Sequence, residues 1–246
     1  MKIVSFNVSG GFYVGNEDTE YLDRKAAERI DERLLQQIID LMNAEDPDVV
    51  CFQEIITSPD VGYIDRIVTG TELKHRAEFE LSPCNMVKDT NCGLAILSKH
   101  PLANVKKIFL PNPKLSKTTA SGNTYYLYDK GMLLADVEMG EKSFRAFTHH
   151  NFPFGRFNST ADKHPEVFDF IRQTVEAEKP DFVTGDFNTL NYRELLNLDG
   201  YESSCHEGTA ADGRQYDDIM VRVGMKYENK VIKTLSDHVM LVTEII

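Results

Sequence analysis

Apolar residues along this chain follow strand-like and helix-like spacings in turn. "KIVSFNV" (2–8) alternates as a strand and runs into "SGG", where a turn is expected. "RKAAERIDERLLQQIIDLMNAED" (24–46) puts Ile30, Leu34, Ile38 and Leu41 on one helical face with charges opposite, and Pro47 follows its end. "DVVCFQE" (48–54) is apolar until its last two residues, as a buried strand would be. Strand, helix and strand in that order point to an α/β fold.

The middle of the chain changes character. "AEFELS", "GLAILS", "VKKIFL", "TYYLY", "MLLADVEM" and "FRAFTH" are short strands at regular spacing, separated by "KHP", "PNPKLSKTTASGN", "DKG" and "GEK". That spacing predicts antiparallel hairpins. A helix at about 163–178 leads into "DFVTGDFN", and strands return in "YDDIMVR", "KVIKTL" and "VMLVTEII". With no internal linker, low-complexity tract or short-period repeat, residues 1–246 read as one domain. Two sheets packed face to face, with helices outside, would use this many strands.

Composition narrows the class. Of the 246 residues, 41% are apolar and 27% charged, as in a soluble globular protein. The net charge of −12 opposes non-specific binding to polyanions but leaves room for a local basic patch or a substrate held through metal. No apolar run is long enough for a membrane span, and "MKIVSFNVSGG" is too short and strand-like for a signal peptide, so the expected compartment is the cytoplasm. Cys51, Cys84, Cys92 and Cys205 are scattered without a C-x-x-C pair, and read as free thiols.

Candidate chemistry sits where apolar strands stop. Asn7 ends the first strand and Glu54 the second; "THHN" supplies His149, His150 and Asn151; "GDFN" supplies Asp186 and Asn188; "YDDI" supplies Asp217 and Asp218; "SDH" supplies Asp237 and His238. Taken singly, each has a plain structural reading. Glu54 suits a solvated strand end, "GDFN" a turn, Asp237 a cap and the histidines packed edge positions. Taken together, six polar strand boundaries can converge on one cleft. The set is also coherent: carboxylates are hard ligands for Mg²⁺ or Mn²⁺, amides and His⁺ donate to phosphoryl oxygens, and an Asp beside a His fixes its tautomer. These are parts for phosphoester hydrolysis.

The ordered set "FNV", "FQE", "GLAILS", "THHN", "GDFN", "YDDI" and "SDH" resembles the endonuclease/exonuclease/phosphatase superfamily from residue 3 to about 242. The resemblance implies a four-layer α/β sandwich of mixed and antiparallel sheets and divalent-metal phosphoester hydrolysis. Carried over by position, Glu54 would ligate Mg²⁺ (or Mn²⁺), with Asp237 and Asn7 on the metal side. Asp186 would activate water, Asn188 would hold phosphate oxygens, and His238 would contact the scissile phosphate, oriented by Asp217. His149 matches the family's "THL" histidine, while His150 stands at its Leu position. The family's acid two residues after the first Asn is Ser9 here, and Asp218 stands where an aromatic is common.

The expected substrate is a phosphorylated small molecule or a nucleic-acid end. A DNA or RNA nuclease is the alternative, and a non-catalytic phosphate-binding relative an alternative of another class. No membrane or obligate protein partner is evident. A calcineurin-like phosphoesterase ranks low, since its D-x-H and G-N-H motifs are missing. Loops 9–21, 111–123 and 151–158 would choose the substrate. The last offers Asn151, Phe154 and Arg156 as contacts, with its aromatics able to stack a base, to cover an apolar lipid or simply to pack.

Overall fold

The computed structural model describes residues 1–12 and 25–246. The predicted 9–21 loop is described only over residues 9–12; the rest of it lies outside the described residues. Among the described residues, one six-stranded sheet contains β1 (Lys2–Asn7), β2 (Val49–Ile56), β3 (His75–Pro83), β4 (Asn91–Ser98), β13 (Tyr227–Ile232) and β14 (Met240–Ile245), in the order β13-β14-β1-β2-β4-β3. The second contains β5 (Leu102–Phe109), β8 (Gly131–Met139), β9 (Lys142–His150), β10 (Phe182–Asp186), β11 (Tyr201–Ser203) and β12 (Asp217–Arg222), in the order β11-β12-β10-β9-β8-β5. A small hairpin of β6 (Ser116–Thr118) and β7 (Thr124–Tyr126) stands apart. The sheets are mixed: β1 pairs parallel with β2 and β9 with β10, whereas β3–β4 and β8–β9 are antiparallel.

Strand periodicity explains the layers. On β1, Ile3 packs with Val49, Leu94, Leu133, Phe182 and Ile219 in a cluster shared by both sheets, while its neighbour Val4 packs outward. The outer face of the first sheet is covered by α1 (Glu32–Glu45) and α2 (Tyr63–Gly70) through Leu34, Leu35, Ile38, Ile64 and Ile67. Each such side chain contributes about 1.5–3 kcal/mol relative to exposure. The outer face of the second sheet is covered by α3 (Pro165–Glu178), whose Val167, Phe168, Ile171 and Val175 meet Phe147, Val183 and Met220. The result is a helix–sheet–sheet–helix sandwich.

The helix expected over 24–46 begins later. Asp31 caps α1 by accepting a hydrogen bond from the Arg33 N–H, and residues 25–31 are not helical. Ala27 instead bridges to Val87, with Ala27 N–H donating to Met86 O at 2.8 Å and Lys88 N–H to Ala27 O at 2.8 Å. Tertiary pairing overrides the helical propensity of "KAAER".

Candidate active site

The inward faces of the strands become polar towards one end of the sandwich. Ser5, Gln53 and Thr148 form a buried layer in which Gln53 Nε2 donates to Thr148 Oγ1 at 2.9 Å and to Ser5 Oγ at 3.3 Å. One step further along the same faces come Asn7, His150, Asp186 and Asp217, all buried. Pairing sets this alignment: His150 lies opposite Asp186 across the parallel β9–β10 pair, and Asp186 opposite Asp217 across β10–β12. Glu54 reaches the same region through a bulge. The register of β2 against β4 shifts between Gln53 and Ile55, and Glu54 takes φ +51°, a backbone state uncommon for a non-glycine residue.

Asp186 is the hub. Its Oδ2 accepts from Asn7 Nδ2 at 3.0 Å and its Oδ1 from the Asn188 backbone N–H at 2.8 Å. His150 Nε2 is 3.6 Å from Asp186 Oδ2 and 3.3 Å from Glu54 Oε1. His238 Nε2 is 3.9 Å from Asp186 Oδ2, while its Nδ1 bonds Asp217 Oδ2 at 2.8 Å. Burial, then repulsion from Asp217, pushes the Asp186 carboxyl up to about 7, against the pull of His238. Burial opposes charge on His238, but the Asp217 carboxylate outweighs it and raises the imidazole well above its ordinary range. Burial, reinforced by the Lys130 ammonium, drives His150 the other way, towards neutral imidazole.

Two groups of donors are close enough to share a cation. Glu54, His150 and Asp186 offer ligand atoms within 4.8 Å of one another, as do Asp186, Asp217 and His238. Glu54 and Asp186 offer hard carboxylate oxygens suited to Mg²⁺ or Mn²⁺, and the neutral imidazole of His150 beside them suits a first-row divalent ion, so this group fits a divalent cation, whereas the protonated His238 of the second group does not. Asp237 belongs to neither group: its Oδ1 faces Ser9 Oγ and lies 3.9 Å from His238 Nε2. The Asn7 amide oxygen is taken by the Ser9 N–H at 3.0 Å. Ser9, standing where an acid is common, therefore ties Asn7 and Asp237 together.

Several candidates from the sequence sit elsewhere. His149 alternates to the outer face of β9, where its ring lies edge-on to Phe187 at 4.4 Å and its Nδ1 meets Thr184 O at 3.0 Å. Burial lowers its pKa to about 4, so it is a neutral packed ring, and His150 is the histidine in the cleft. Phe154 is not a substrate contact but a core residue, stacked on His164 at 4.8 Å and packed under Phe168. Asn151 is buried; its carbonyl accepts from Asn188 Nδ2 at 3.0 Å, and among the described residues its own Nδ2 has no hydrogen-bond partner. Asp218, which stands where an aromatic is common, is buried and accepts from Tyr192 OH at 2.7 Å. Arg156 does line the cleft.

Lys130 escaped the sequence reading because "DKG" has the look of a turn. Its Nζ lies 3.0 Å from His150 Nδ1. No signal in the sequence places it there, because the pairing of its neighbour Gly131 with His150 is set by tertiary register. Glu54, Lys130, His150, Arg156 and Asn188 open onto a pocket of about 310 Å³.

A sequence profile of the endonuclease/exonuclease/phosphatase family matches residues 4–238, and the chain belongs to that family. None of the curated proteins matches the sequence. Among solved structures, an endonuclease/exonuclease/phosphatase from Beutenbergia cavernae DSM 12333 is similar over 98% of this chain and 70% of its own, with TM-score 0.68 and 14% identity. A functionally unknown conserved protein from Enterococcus faecalis V583 is similar over 100% of this chain and 99% of its own, with TM-score 0.66 and 19% identity. A mannosyl-6-phosphatase from Bacteroides thetaiotaomicron VPI-5482 is similar over 100% and 99%, with TM-score 0.64 and 12% identity. At these identities the likeness concerns the fold. Among the described residues, no helix is long and apolar enough to cross a membrane.

Proposed function

We propose that the protein is a divalent-metal-dependent phosphoester hydrolase in which water attacks a phosphomonoester or phosphodiester in line, on a small substrate or a nucleic-acid end. The observation that carries this is the convergence of Glu54, His150 and Asp186 beside the Asp217–His238 pair. Glu54 and His150, with Asp186 at the edge of the group, would hold Mg²⁺ or Mn²⁺. When bound, such an ion supplies positive charge against a phosphoryl oxygen.

The chain's own groups divide the remaining work. Asp186, fixed by Asn7 and the Asn188 N–H, takes the proton of the attacking water. His238, held by Asp217, hydrogen-bonds from Nε2 to a phosphoryl oxygen while the ester P–O bond breaks, and the departing alkoxide takes up a proton from solvent, which balances the one that Asp186 later returns. Lys130 adds positive charge from the pocket side.

The test is turnover of p-nitrophenyl phosphate and bis(p-nitrophenyl) phosphate with Mg²⁺, with Mn²⁺ and in excess EDTA. At least one substrate should turn over with a divalent cation and not in EDTA. Asp186→Asn should lower kcat by roughly 10²–10⁴, the usual worth of a positioned general base. Undiminished turnover in EDTA, or in Asp186→Asn, would overturn the reading.

A further inference from the structure

The pocket beside the candidate site has two chemically different ends. At the inner end stand Glu54, His150 and Lys130. Gly131 opens β8 opposite His150, which brings the side chain of Lys130 against the imidazole, with Nζ 3.0 Å from Nδ1 and 3.2 Å from Nε2. A histidine ring does not neutralise an ammonium, and among the described residues Lys130 forms no ion pair with a carboxylate within 4.0 Å. Arg156 lines the same wall. A partly buried ammonium in contact with a neutral imidazole, with the Glu54 and Asp186 carboxylates acting on it only from beyond ion-pair distance, is a receptor for an anionic oxygen at a phosphoester site.

The outer end is aromatic. β7 and the segment after it alternate: Leu127 is buried and Tyr125 packs on the core, while Tyr126 and Tyr128 remain 69% and 44% exposed. Both exposed rings line the pocket. Two neighbouring exposed aromatics on the rim of a concave site form the kind of patch that marks ligand-binding grooves. At about 310 Å³ the pocket is at the small end of the range for ligand sites, with room for a compact group.

We propose that this pocket receives the organic part of the substrate as a flat ring stacked against Tyr126 and Tyr128, with Lys130 gripping a phosphoryl oxygen at the inner end. The substrate class is then a phosphoester of a compact alcohol bearing an aromatic or heteroaromatic ring. The inference rests on the hydrolase reading for the position of the phosphate, but it makes its own demand on affinity.

The experiment uses non-hydrolysable phosphonates that share a head group. Methylphosphonate, hexylphosphonate and phenylphosphonate are titrated calorimetrically into the full chain with Mg²⁺. Phenylphosphonate should bind roughly tenfold or more tighter than methylphosphonate, the usual worth of stacking one ring on an aromatic side chain. Hexylphosphonate, with the same number of carbons as the phenyl probe, should bind more weakly than it. In the double variant Tyr126→Ala/Tyr128→Ala, with its Tm measured alongside, the ratio of phenyl to methyl affinity should fall towards one. Lys130→Met should weaken all three probes by a similar factor. Equal affinity for the methyl and phenyl probes, a hexyl probe that matches the phenyl one, or a tyrosine variant that keeps the ratio would overturn the proposal. No arm reads turnover. Failure of the hydrolase reading would therefore show as absent catalysis with ring preference intact, and failure here as lost preference with catalysis intact.

Discussion

Adjacent histidines in "THHN" have opposite fates because a strand sends successive side chains to opposite faces. His149 lies among Phe147 and Phe187, and His150 lies 3.3 Å from Glu54. Replacing them should separate stability from activity. His149→Ala leaves a hole in a packed aromatic cluster and should lower Tm, with kcat of the folded fraction within a few-fold of the parent. His150→Ala should reduce turnover by at least about tenfold with a smaller change in Tm, since its buried ring lies against the Lys130 ammonium and the Glu54 carboxylate rather than in an apolar cluster. Thermal unfolding and kinetics on the two variants check this, and the reverse pattern would place the working histidine on the outer face. A second test concerns His238 and Asp217, joined at 2.8 Å. If Asp217 acts only through His238, Asp217→Asn and His238→Ala should each cut kcat, and the double variant should lose little more than the worse single one. Additive losses would show that the two act separately.

Elements carry these residues to one place, and their legibility differs for physical reasons. The strands around Asn7, Asp186 and Asp217 were readable because continuous apolar runs end abruptly in polar residues. Which of two neighbouring polar residues faces inward was not, because parity depends on the Asp186–His150 register, a tertiary fact. The Glu54 bulge was equally hidden, since "FQEII" carries no glycine to mark its positive φ. The start of α1 was misplaced because Ala27 pairs with Val87 rather than extending a helix that its own propensity favours. Gly185 shows how closely β9 and β10 must approach: a Cβ there would come within 2.3 Å of His149 O and 2.5 Å of His149 Nδ1. Gly185→Ala should therefore destabilise the chain by about 1–3 kcal/mol through overpacking, measurable by urea unfolding. A neutral outcome would mean that the strand pair separates more easily than its geometry indicates.

The same sheet is tied to α3 by charge. Arg145 on β9 reaches Asp136 at 2.6 Å on β8 and Glu178 at 2.5 Å on the helix. Burial pushes the Asp136 carboxyl up, but hydrogen bonds from Asn104 and Arg145 outweigh it and hold it below its ordinary range. A hydrogen bond from Lys106, helped by Arg145, lowers Glu178 as well. Carboxyls depressed in the folded chain stabilise it above their unfolded values, near pH 4, and that contribution disappears as pH falls through the folded values. Arg145→Met should flatten the acid limb of the stability–pH curve below about pH 4.5 and change the slope near neutrality little. An unchanged acid limb would show that the network contributes nothing to the folded state.

At the scale of the whole molecule, charge decides which phosphoesters can approach. The chain has 27 Lys and Arg against 39 Asp and Glu, a net charge of −12. A nuclease that holds a long duplex neutralises several phosphates, and its affinity falls by about 0.9 log unit per log unit of salt for each one. The compact basic stretch on this chain is Lys106, Lys107, Lys114 and Lys117. Its members are partly spoken for: Lys106 is held by Glu178 at 2.7 Å, and Lys114 lies 3.5 Å from Asp129. In a chain this acidic the patch supports few duplex contacts, whereas on the proposed reading a single phosphate would have His238, Lys130 and the Glu54 centre without it. Replacing Lys114 and Lys117 together by Ala should thus leave hydrolysis of a small phosphoester within a few-fold of the parent. Turnover of that substrate should also vary little between about 50 and 200 mM salt, the range in which counterion release is plain. Plasmid DNA measured in parallel should be cut poorly at every salt concentration. Efficient plasmid cleavage that collapses with salt and with the double lysine change would reverse the preference, and make the patch rather than the tyrosine-rimmed pocket the feature that selects the substrate.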